Sequence, residues 1–173
     1  MTQIDTVVVI LKVSERCNIN CTYCYFFNGI DQSYKDHPYK ISLELVNKIA
    51  SYFKSACQEF KIKTLRFDFH GGEPLLVKPR YLNEICEVLT RELKEITKLE
   101  FSLQTNAMLI NDKWIEIFNK FKINIGISID GPAEYHDKYR VNHQGGGTYQ
   151  KTRQGIELIR KYFYDKKVNF GVG

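Results

Sequence analysis

Apolar residues along this chain recur at two spacings, one typical of strands and the other of helices. Apolar runs typical of strands occur at residues 6–13, 65–70, 99–104, 123–130 and 167–173. Helical spacing occurs at about 42–57, from Pro79 to 93, at 112–120 and at 148–162. Ser42 and Thr148 are the predicted N-caps of the first and last of these helices. This alternation predicts parallel strands joined by right-handed helical crossovers.

The strands after the first are predicted to have one apolar and one polar face. In "INIGISID", four isoleucines alternate with Asn124, Gly126, Ser128 and Asp130, and neighbouring residues of a strand point to opposite faces. The run at 6–13 is instead a nearly continuous β-branched run, which predicts burial on both faces. Polar groups inside a barrel need partners, which a bound polar cofactor would supply. We therefore predict an α/β fold, a partial (β/α) barrel that ends within its fifth strand and holds a ligand in its lumen.

Composition and charge narrow the functional classes. The 173 residues carry a net charge of +5 spread over many lysines, and no basic motif with interleaved aromatics suggests a nucleic-acid partner. No apolar run is long enough for a membrane helix, and the N-terminus lacks signal-peptide features. We expect a cytoplasmic protein without a membrane partner, where cysteines bind metal or react more often than they form disulfides.

Three cysteines, Cys17, Cys21 and Cys24, follow the first predicted strand in "SERCNINCTYCYFF". A zinc site needs a fourth ligand at typical spacing, and none follows. A ferredoxin-type cluster needs four thiolates, and a disulfide is disfavoured in the cytoplasm. A further interpretation, which competes with these, is a [4Fe–4S] cluster with three thiolate ligands and one iron open to a substrate.

The spacing C-x3-C-x2-C, with Tyr23 before the third cysteine, resembles the signature of the radical S-adenosylmethionine (SAM) enzymes. The resemblance implies that Cys17, Cys21 and Cys24 hold a [4Fe–4S] cluster whose open iron binds the amino and carboxylate groups of SAM. It also implies reductive cleavage of SAM to a 5′-deoxyadenosyl radical that abstracts hydrogen, and that Tyr23 stacks near adenine.

Three further segments resemble motifs of that family, namely "HGGEPLL", "QTNAMLI" and "SIDGPAEYHDKYR". By resemblance, the first loop holds the SAM amino group, its glycines allowing close approach and its carboxylate balancing the ammonium. Ser128 and Arg140 match positions near the SAM ribose and carboxylate, and the role of His136 stays open. Ala107 stands where many relatives have glycine, so that loop is expected to differ slightly. The implied cofactor-binding set is Tyr23, Gly71, Gly72, Glu73, Pro74, Gln104, Asn106, Ser128, Asp130 and Arg140.

These later motifs resemble the SPASM-type subgroup, which includes anaerobic sulfatase-maturating enzymes and cyclophane-forming peptide maturases. The resemblance implies a precursor peptide or protein as substrate and a reductant such as flavodoxin or ferredoxin. The domain prediction is a radical SAM core over residues 1–173 that lacks the last strand–helix units and the SPASM or twitch region. No catalytic base is assigned.

The chain ends inside its fifth predicted strand, at "KKVNFGVG". An unpaired strand edge invites pairing with a completing chain or with a second copy. The alternative to an active maturase is therefore a non-catalytic remnant or subunit that binds a cluster, SAM or peptide and needs a partner for turnover.

Two other cysteines and two histidines receive less specific interpretations. Cys57 and Cys86 lie on apolar helix stripes and are expected to be small buried side chains. His70, on the polar face of its strand, has two open interpretations, contact with SAM or substrate and a structural hydrogen bond. His136 falls in a segment predicted to be a loop. Residues 145–147, three glycines, are predicted to form a flexible turn.

Overall fold

The computed structural model of the chain describes residues 4–163 and 170–172. Its five strands form one sheet in the sequential order β1 to β5, and every neighbouring pair is parallel. The strands are β1 (Thr6–Ser14), β2 (Thr64–Gly71), β3 (Lys98–Thr105), β4 (Asn124–Ile127) and β5 (Phe170–Val172). The predicted parallel α/β fold is therefore confirmed. Of the fifth predicted strand, residues 167–169 and 173 lie outside the described residues.

Six α-helices lie between the described strands. They are α1 (Tyr25–Asn28), α2 (Leu43–Phe60), α3 (Pro79–Leu93), α4 (Asp112–Phe121), α5 (Ala133–Tyr139) and α6 (Tyr149–Phe163). Ser42 is the N-cap of α2 as predicted, because its hydroxyl accepts a hydrogen bond from the Leu45 N–H at 3.1 Å. None of the described helices is long and apolar enough to cross a membrane.

The main core lies between the sheet and its helices. Alternate residues of the strands, including Leu65, Phe67 and Phe69 on β2, are fully buried there. Cys57 and Cys86 are buried in the same core, as expected for small apolar side chains. The intervening residues of β2, Arg66, Asp68 and His70, are only partly buried. Thus the two-faced pattern read from the sequence describes the sheet from β2 to β4.

The prediction that the first strand is covered on both faces is wrong. Val8 and Ile10 are 44% and 68% exposed, whereas Leu11 and Val13 are buried. The parallel register places Val8 beside Arg66 and Ile10 beside Asp68, on the cavity side of the sheet. β1 is also the first strand in the sheet order. Its apolar run therefore reflects β propensity on a face that the helices do not cover.

The segment after the fourth strand also differs from its prediction. β4 ends at Ile127 instead of continuing to Asp130. Gly131 then has a left-handed φ of 77°, and Pro132 is the N-cap of α5. His136, expected in a loop, therefore lies on a helix, and the chain leaves the sheet three residues earlier than predicted.

The last described helix is capped differently from the prediction. The Asp137 carboxylate accepts hydrogen bonds from the Thr148 and Tyr149 N–H groups, both at 2.7 Å. The Thr148 hydroxyl instead donates to the Arg140 carbonyl at 2.6 Å. The predicted glycine turn lies slightly earlier, at residues 142–145, where the Asn142 side chain accepts from the Gln144 and Gly146 N–H groups, and Gly147 pairs with Val141. Thus α5 supplies the cap of α6.

Candidate functional site

The cysteine-bearing loop begins at the carboxyl end of β1 and is held by the segment that follows α5. The Asn20 N–H donates to the Val141 carbonyl at 2.7 Å, and the Thr22 N–H donates to the Tyr139 carbonyl at 2.9 Å. The His143 ring is 3.0 Å from the Cys17 carbonyl. Two regions more than 100 residues apart in sequence therefore fix the backbone around the cysteines.

All three predicted ligand cysteines are free thiols beside one cavity. Cys21 is buried, and Cys17 and Cys24 are partly buried. Burial raises the pKa of Cys17 to about 12, with the nearby Glu73 charge adding to the effect, and burial also raises the pKa of Cys21. Because burial disfavours a bare thiolate, positively charged iron would supply the compensating charge at these thiols.

Within the described residues, no three His, Cys, Asp or Glu side chains converge on a point that could hold a single metal ion. In an iron–sulfur cluster each thiolate binds a different iron, so convergence on one point is not required. The three thiols line one wall of the cavity instead of surrounding one position. This donor set fits a cluster with three thiolate ligands.

The cavity beside the cysteines has a volume of about 500 Å³ and brings the sequence-predicted residues together. Eleven of the thirteen line it, namely Cys17, Cys21, Cys24, Tyr23, Gly71, Gly72, Glu73, Gln104, Asn106, Ser128 and Arg140. The other two are Asp130, which bonds to Tyr23, and Pro74, which is buried in a short 3-10 helix over Pro74–Val77. The thirteen predicted residues therefore lie in the wall of one cavity or directly beside it.

The glycines after β2 have a packing role that the sequence interpretation did not include. The Gly72 N–H donates to the Ser14 carbonyl at 3.0 Å, and the Glu73 N–H donates to the Arg16 carbonyl at 2.9 Å. A Cβ at Gly71 would collide with the Ser14 carbonyl, and Gly71 has a φ of 148°. These glycines are required for contact between the two loops, whatever the cavity binds.

Glu73 is a fully buried carboxylate that joins three segments. It accepts hydrogen bonds from the Leu75 N–H at 3.0 Å, the Thr105 hydroxyl at 2.7 Å and the Asn106 N–H at 2.9 Å. Burial raises the pKa of Glu73, and these donors oppose the shift. No described Lys or Arg forms a salt bridge with it. Its charge therefore has donors but no directly bonded cation.

The loop after β3 connects Glu73 to the cysteine loop. The Asn106 amide donates to the Asn18 side chain at 2.8 Å, and Thr152 on α6 donates to the Asn106 carbonyl at 3.0 Å. Ala107 has a φ of 63°, in the left-handed region that glycine favours. Ala107 thus adopts a backbone conformation that glycine would adopt more readily.

Tyr23, Asp130 and Arg140 form a connected polar group at the cavity wall. The Tyr23 hydroxyl donates to Asp130 Oδ2 at 2.6 Å and accepts from Arg140 Nη1 at 2.7 Å. Arg140 is only 8% exposed, and its Nε–H is buried without a hydrogen-bond partner among the described residues. Burial, followed by the hydrogen bond to Asp130, raises the pKa of Tyr23 to about 12. A bound carboxylate would satisfy the unpartnered Arg140 donor.

Gln104 and Ser128 lie side by side on the same wall, and the Gln104 amide donates to the Ser128 hydroxyl at 2.8 Å. Gly126 on β4 leaves room for the Gln104 side chain, since a Cβ there would collide with Gln104 Oε1. His70 also lines the cavity, and no hydrogen bond to its ring occurs among the described residues. Of its two interpretations, ligand contact is the one that this position favours.

A second cavity, of about 660 Å³, lies at the amino ends of β2 and β3. It is lined by four lysines and one glutamate, and it contains none of the predicted site residues. Lys63 and Lys98 in its wall pair with Asp5 and Glu100, both at 2.6 Å. The smaller cavity at the carboxyl ends of the strands is therefore the candidate site, as the position of function in α/β barrels suggests.

Two contributors to this site were missed by the sequence interpretation. Asn18 lies inside the cysteine motif, next to Cys17, and its side chain accepts a hydrogen bond from the Asn106 amide. An amide side chain beside a predicted metal ligand was a sequence signal that could have identified it. His143 contacts the Cys17 carbonyl from a glycine-rich turn. No spacing rule connects His143 to the cysteines, because only the folded arrangement brings them together.

Comparison with known proteins identifies the family of this chain. The sequence profile described as "Radical SAM superfamily" matches residues 11–173. The chain is 34% identical over 157 residues to the serine-type anaerobic sulfatase-maturating enzyme of Bacteroides thetaiotaomicron, covering 90% of this chain and 36% of that protein. It is 29% identical to the cysteine-type enzyme of Clostridium perfringens, covering 95% of this chain and 42% of that protein. The chain thus spans well under half the length of these relatives.

Solved structures agree with the sequence relatives. The structure of anSMEcpe with bound AdoMet matches with a TM-score of 0.79 and 28% identity, over 96% of this chain and 43% of that one. The same protein with AdoMet and the Kp18Cys peptide matches equally well, with a TM-score of 0.79. The BtrN structure, at 17% identity and a TM-score of 0.62, supports the fold alone.

Proposed function

This chain belongs to the radical SAM superfamily, and we propose that it forms the N-terminal part of a maturase that modifies a side chain of a ribosomally made peptide or protein. One observation carries the proposal. Three free thiols and the Tyr23–Asp130–Arg140 group line or adjoin a single cavity of about 500 Å³ at the carboxyl ends of the strands.

The cofactors of the family, a [4Fe–4S] cluster and SAM, fit the residues that line this cavity. Cys17, Cys21 and Cys24 are assigned as the cluster ligands. Reductive cleavage of SAM to a hydrogen-abstracting 5′-deoxyadenosyl radical is the chemistry that the two cofactors supply when bound. A flavodoxin or ferredoxin is the class of reductant that this chemistry calls for.

Arg140 is assigned to the carboxylate of SAM. Its Nε–H is buried and unpartnered within the described residues, and a guanidinium can bind a carboxylate through two parallel hydrogen bonds. Glu73, in the loop from Gly71 to Pro74, is assigned to the amino group of SAM. Its buried carboxylate has three neutral donors and no salt-bridge cation among the described residues, so an ammonium would add the missing positive charge.

The remaining cavity wall is assigned to the nucleoside part of SAM. Ser128, supported by Gln104 at 2.8 Å, presents a hydroxyl that suits a ribose. The Tyr23 ring lines the cavity and is held at its hydroxyl end by Asp130 and Arg140, which leaves its face for adenine. Asn106 holds the β3 loop against the cysteine loop through Asn18.

Aromatic side chains beside the cysteines would exclude water and oxygen from the site. Phe26 and Phe27 meet edge to face with ring centroids 4.8 Å apart, and Phe27 meets Tyr34 in the same way at 4.8 Å. Both phenylalanines line the cavity. This packing supports radical chemistry, in which water and oxygen would otherwise intercept reactive species.

Hydrogen abstraction from a peptide side chain is supported by the sulfatase-maturating relatives. Cross-linking of an aromatic ring to a Cβ carbon, giving a cyclophane, is the form of maturation that the segment from Leu11 to Pro38 resembles. A test uses short peptides that contain Ser, Cys or an aromatic residue deuterated at Cβ. Deuterium transfer into 5′-deoxyadenosine identifies the abstracted position, and the absence of transfer from all three peptides contradicts this assignment.

The first experiment uses the chain reconstituted anaerobically with iron and sulfide, reduced in the presence of SAM. We expect release of 5′-deoxyadenosine, quantified by chromatography, together with bound iron and sulfide. Cys21→Ala is expected to abolish both. Cys57→Ala, the same substitution on the apolar stripe of α2, is the matched control and is expected to retain them.

Two other outcomes have distinct meanings. Cysteine-dependent cluster binding without release of 5′-deoxyadenosine would favour the alternative, a subunit that needs a completing chain or a second copy for turnover. Equal iron and sulfide content in the Cys21→Ala and Cys57→Ala proteins would contradict the assigned cluster ligands.

A further inference from the structure

His136 lies on α5, next to the Tyr23–Asp130–Arg140 group and outside the cavity wall, and it is fully buried, with 0% exposed. The Asp130 N–H donates to its Nδ1 at 3.3 Å. Its Nε2 lies 3.0 Å from the Thr148 hydroxyl. The Thr148 hydroxyl in turn donates to the Arg140 carbonyl at 2.6 Å.

These contacts fix the tautomer of the ring. Nδ1 accepts from the Asp130 N–H, so it carries no proton. Nε2 must then be the protonated nitrogen of the neutral ring, donating to the Thr148 oxygen, whose own proton is used on Arg140. Burial lowers the pKa of His136, and the nearby Arg140 charge lowers it further, which favours the neutral form.

Asp130 and Arg140 are therefore connected directly, by an ion pair in which Arg140 Nη1 lies 3.6 Å from Asp130 Oδ1, and by two further routes. On the protein side, His136 and Thr148 join their backbones. On the cavity side, the Tyr23 hydroxyl joins their side chains at 2.6 and 2.7 Å. An arginine side chain that is already ordered loses less rotamer freedom when it binds a ligand. Thr148 holds the Arg140 backbone, and the contacts to Tyr23 and Asp130 hold the guanidinium at the other end of the side chain.

We propose that His136, acting through Thr148, is a positioning residue that holds the backbones of Asp130 and Arg140 so that the Arg140 guanidinium is ordered toward the SAM carboxylate before SAM binds. The inference rests on the proposed function for its ligand, and it concerns two residues that do not line the cavity. His136 is a positioning residue because it acts through Arg140.

One arm of the test needs no cofactor. The chain contains four histidines, so nitrogen-15 spectra of their side chains, assigned with a His136→Asn variant, resolve the His136 tautomer. We expect a neutral ring protonated at Nε2. We also expect the Arg140 Nε–H signal to shift or broaden in Thr148→Val, because the Val side chain has the same shape but no hydroxyl.

The second arm measures SAM affinity of the cluster-loaded chain by equilibrium dialysis. Thr148→Val is expected to bind SAM about tenfold more weakly, the size typical of removing an outer hydrogen-bond partner. Thr148→Ser keeps the hydroxyl and should bind as the wild type does. Thr90→Val is the matched control, since the buried Thr90 hydroxyl has no hydrogen-bond partner among the described residues.

The arms separate this inference from the proposed function. If the wild-type chain loads a cluster but binds no SAM, the proposed function fails, and the nitrogen-15 signals of His136 and Arg140 alone decide the inference. A charged His136, a ring protonated at Nδ1, or an Arg140 signal unchanged in Thr148→Val overturns it. So does equal SAM affinity of the Thr148→Val and Thr148→Ser proteins.

Discussion

On β2, Phe67 and Phe69 point toward the helices and are fully buried, whereas Arg66 and Asp68, their immediate neighbours, lie partly exposed on the cavity side. The Phe67 ring meets Phe53 of α2 edge to face at 5.8 Å, and Phe69 stacks on Phe101 at 5.6 Å. Among the described residues, Arg66 and Asp68 pair with each other at 2.9 Å and with no other charged side chain. Burial on one face stabilises the fold, and the other face is left available for binding.

Substitution of a core aromatic gives the largest expected contrast between the two faces. Phe67→Ala should lower the free energy of unfolding by about 3–5 kcal/mol, because it removes a fully buried ring and leaves a cavity. Ser102→Ala, on the cavity side of β3, should change it by less than about 0.5 kcal/mol. Urea denaturation of both proteins measures the difference, and equal losses would contradict the assignment of the two faces.

Alanine substitution of two glycines, one on the helix side and one on the sheet, gives the next largest expected difference in unfolding free energy. A Cβ at Gly155 on α6 would collide with the backbone carbonyl of Ala107, whereas one at Gly126 would collide with the flexible end of Gln104. Gly155→Ala should therefore cost about 1–3 kcal/mol of unfolding free energy. Gly126→Ala should cost less, while displacing Gln104 from Ser128. Thermal and urea unfolding check the order, and a larger loss for Gly126→Ala would reverse it.

Substitution of Arg140 tests whether the side chains at the cavity contribute to SAM binding. Arg140→Lys keeps the charge but loses the planar fork, so SAM affinity of the cluster-loaded chain should fall about tenfold. Lys138→Arg, two residues earlier on α5, is the exposed control and should leave affinity unchanged. Equilibrium dialysis measures both. Wild-type affinity in Arg140→Lys would remove the carboxylate role from Arg140.

The smallest expected effect is the change in stability when the Tyr23 hydroxyl at the cavity wall ionises. Burial and the hydrogen bond to Asp130 raise the pKa of Tyr23 from 10.0 to about 12. Because the folded pKa is the higher one, this contribution to stability is present below pH 10 and is lost as the pH rises toward about 12. Asp130→Asn should lower the pKa of Tyr23.

Carbon-13 label at tyrosine Cζ follows that ionisation directly, and a Tyr23→Phe protein assigns the signal. The signal should show Tyr23 still protonated at pH 11 in the wild type, since its pKa is about 12. Ionisation of Tyr23 at the pH of an exposed tyrosine would mean that the bridge to Asp130 and Arg140 does not form.

Local chemistry was enough to identify the strands, most helices and the candidate ligands. The 3.6 and 2.0 periodicities located β2, β3, α2, α3 and α4 within a few residues, because each element buries one face of its own. The cysteine spacing and three short motifs named the residues that line or adjoin the cavity. Such features are carried by neighbouring residues, so the sequence displays them directly.

Where prediction failed, the deciding contact came from a distant part of the chain. Apolar β1 looked buried on both faces, yet Val8 and Ile10 are exposed, since only the sheet order and register determine what covers a strand. Asp137, not Thr148, caps α6.

By itself, the sequence determined the parallel α/β architecture through periodicity, and its resemblance to known family motifs named the residues of the candidate site. Only the tertiary structure decided how that site is supported. It set the burial of Glu73 among Leu75, Thr105 and Asn106, the pairing of the cysteine loop with residues 139–142, and the line from His136 through Thr148 to Arg140. The bonds from Glu73 to Thr105 and Asn106 and those of the cysteine loop to residues 139–141 join residues far apart along the chain. No local pattern encodes which distant donor meets which acceptor.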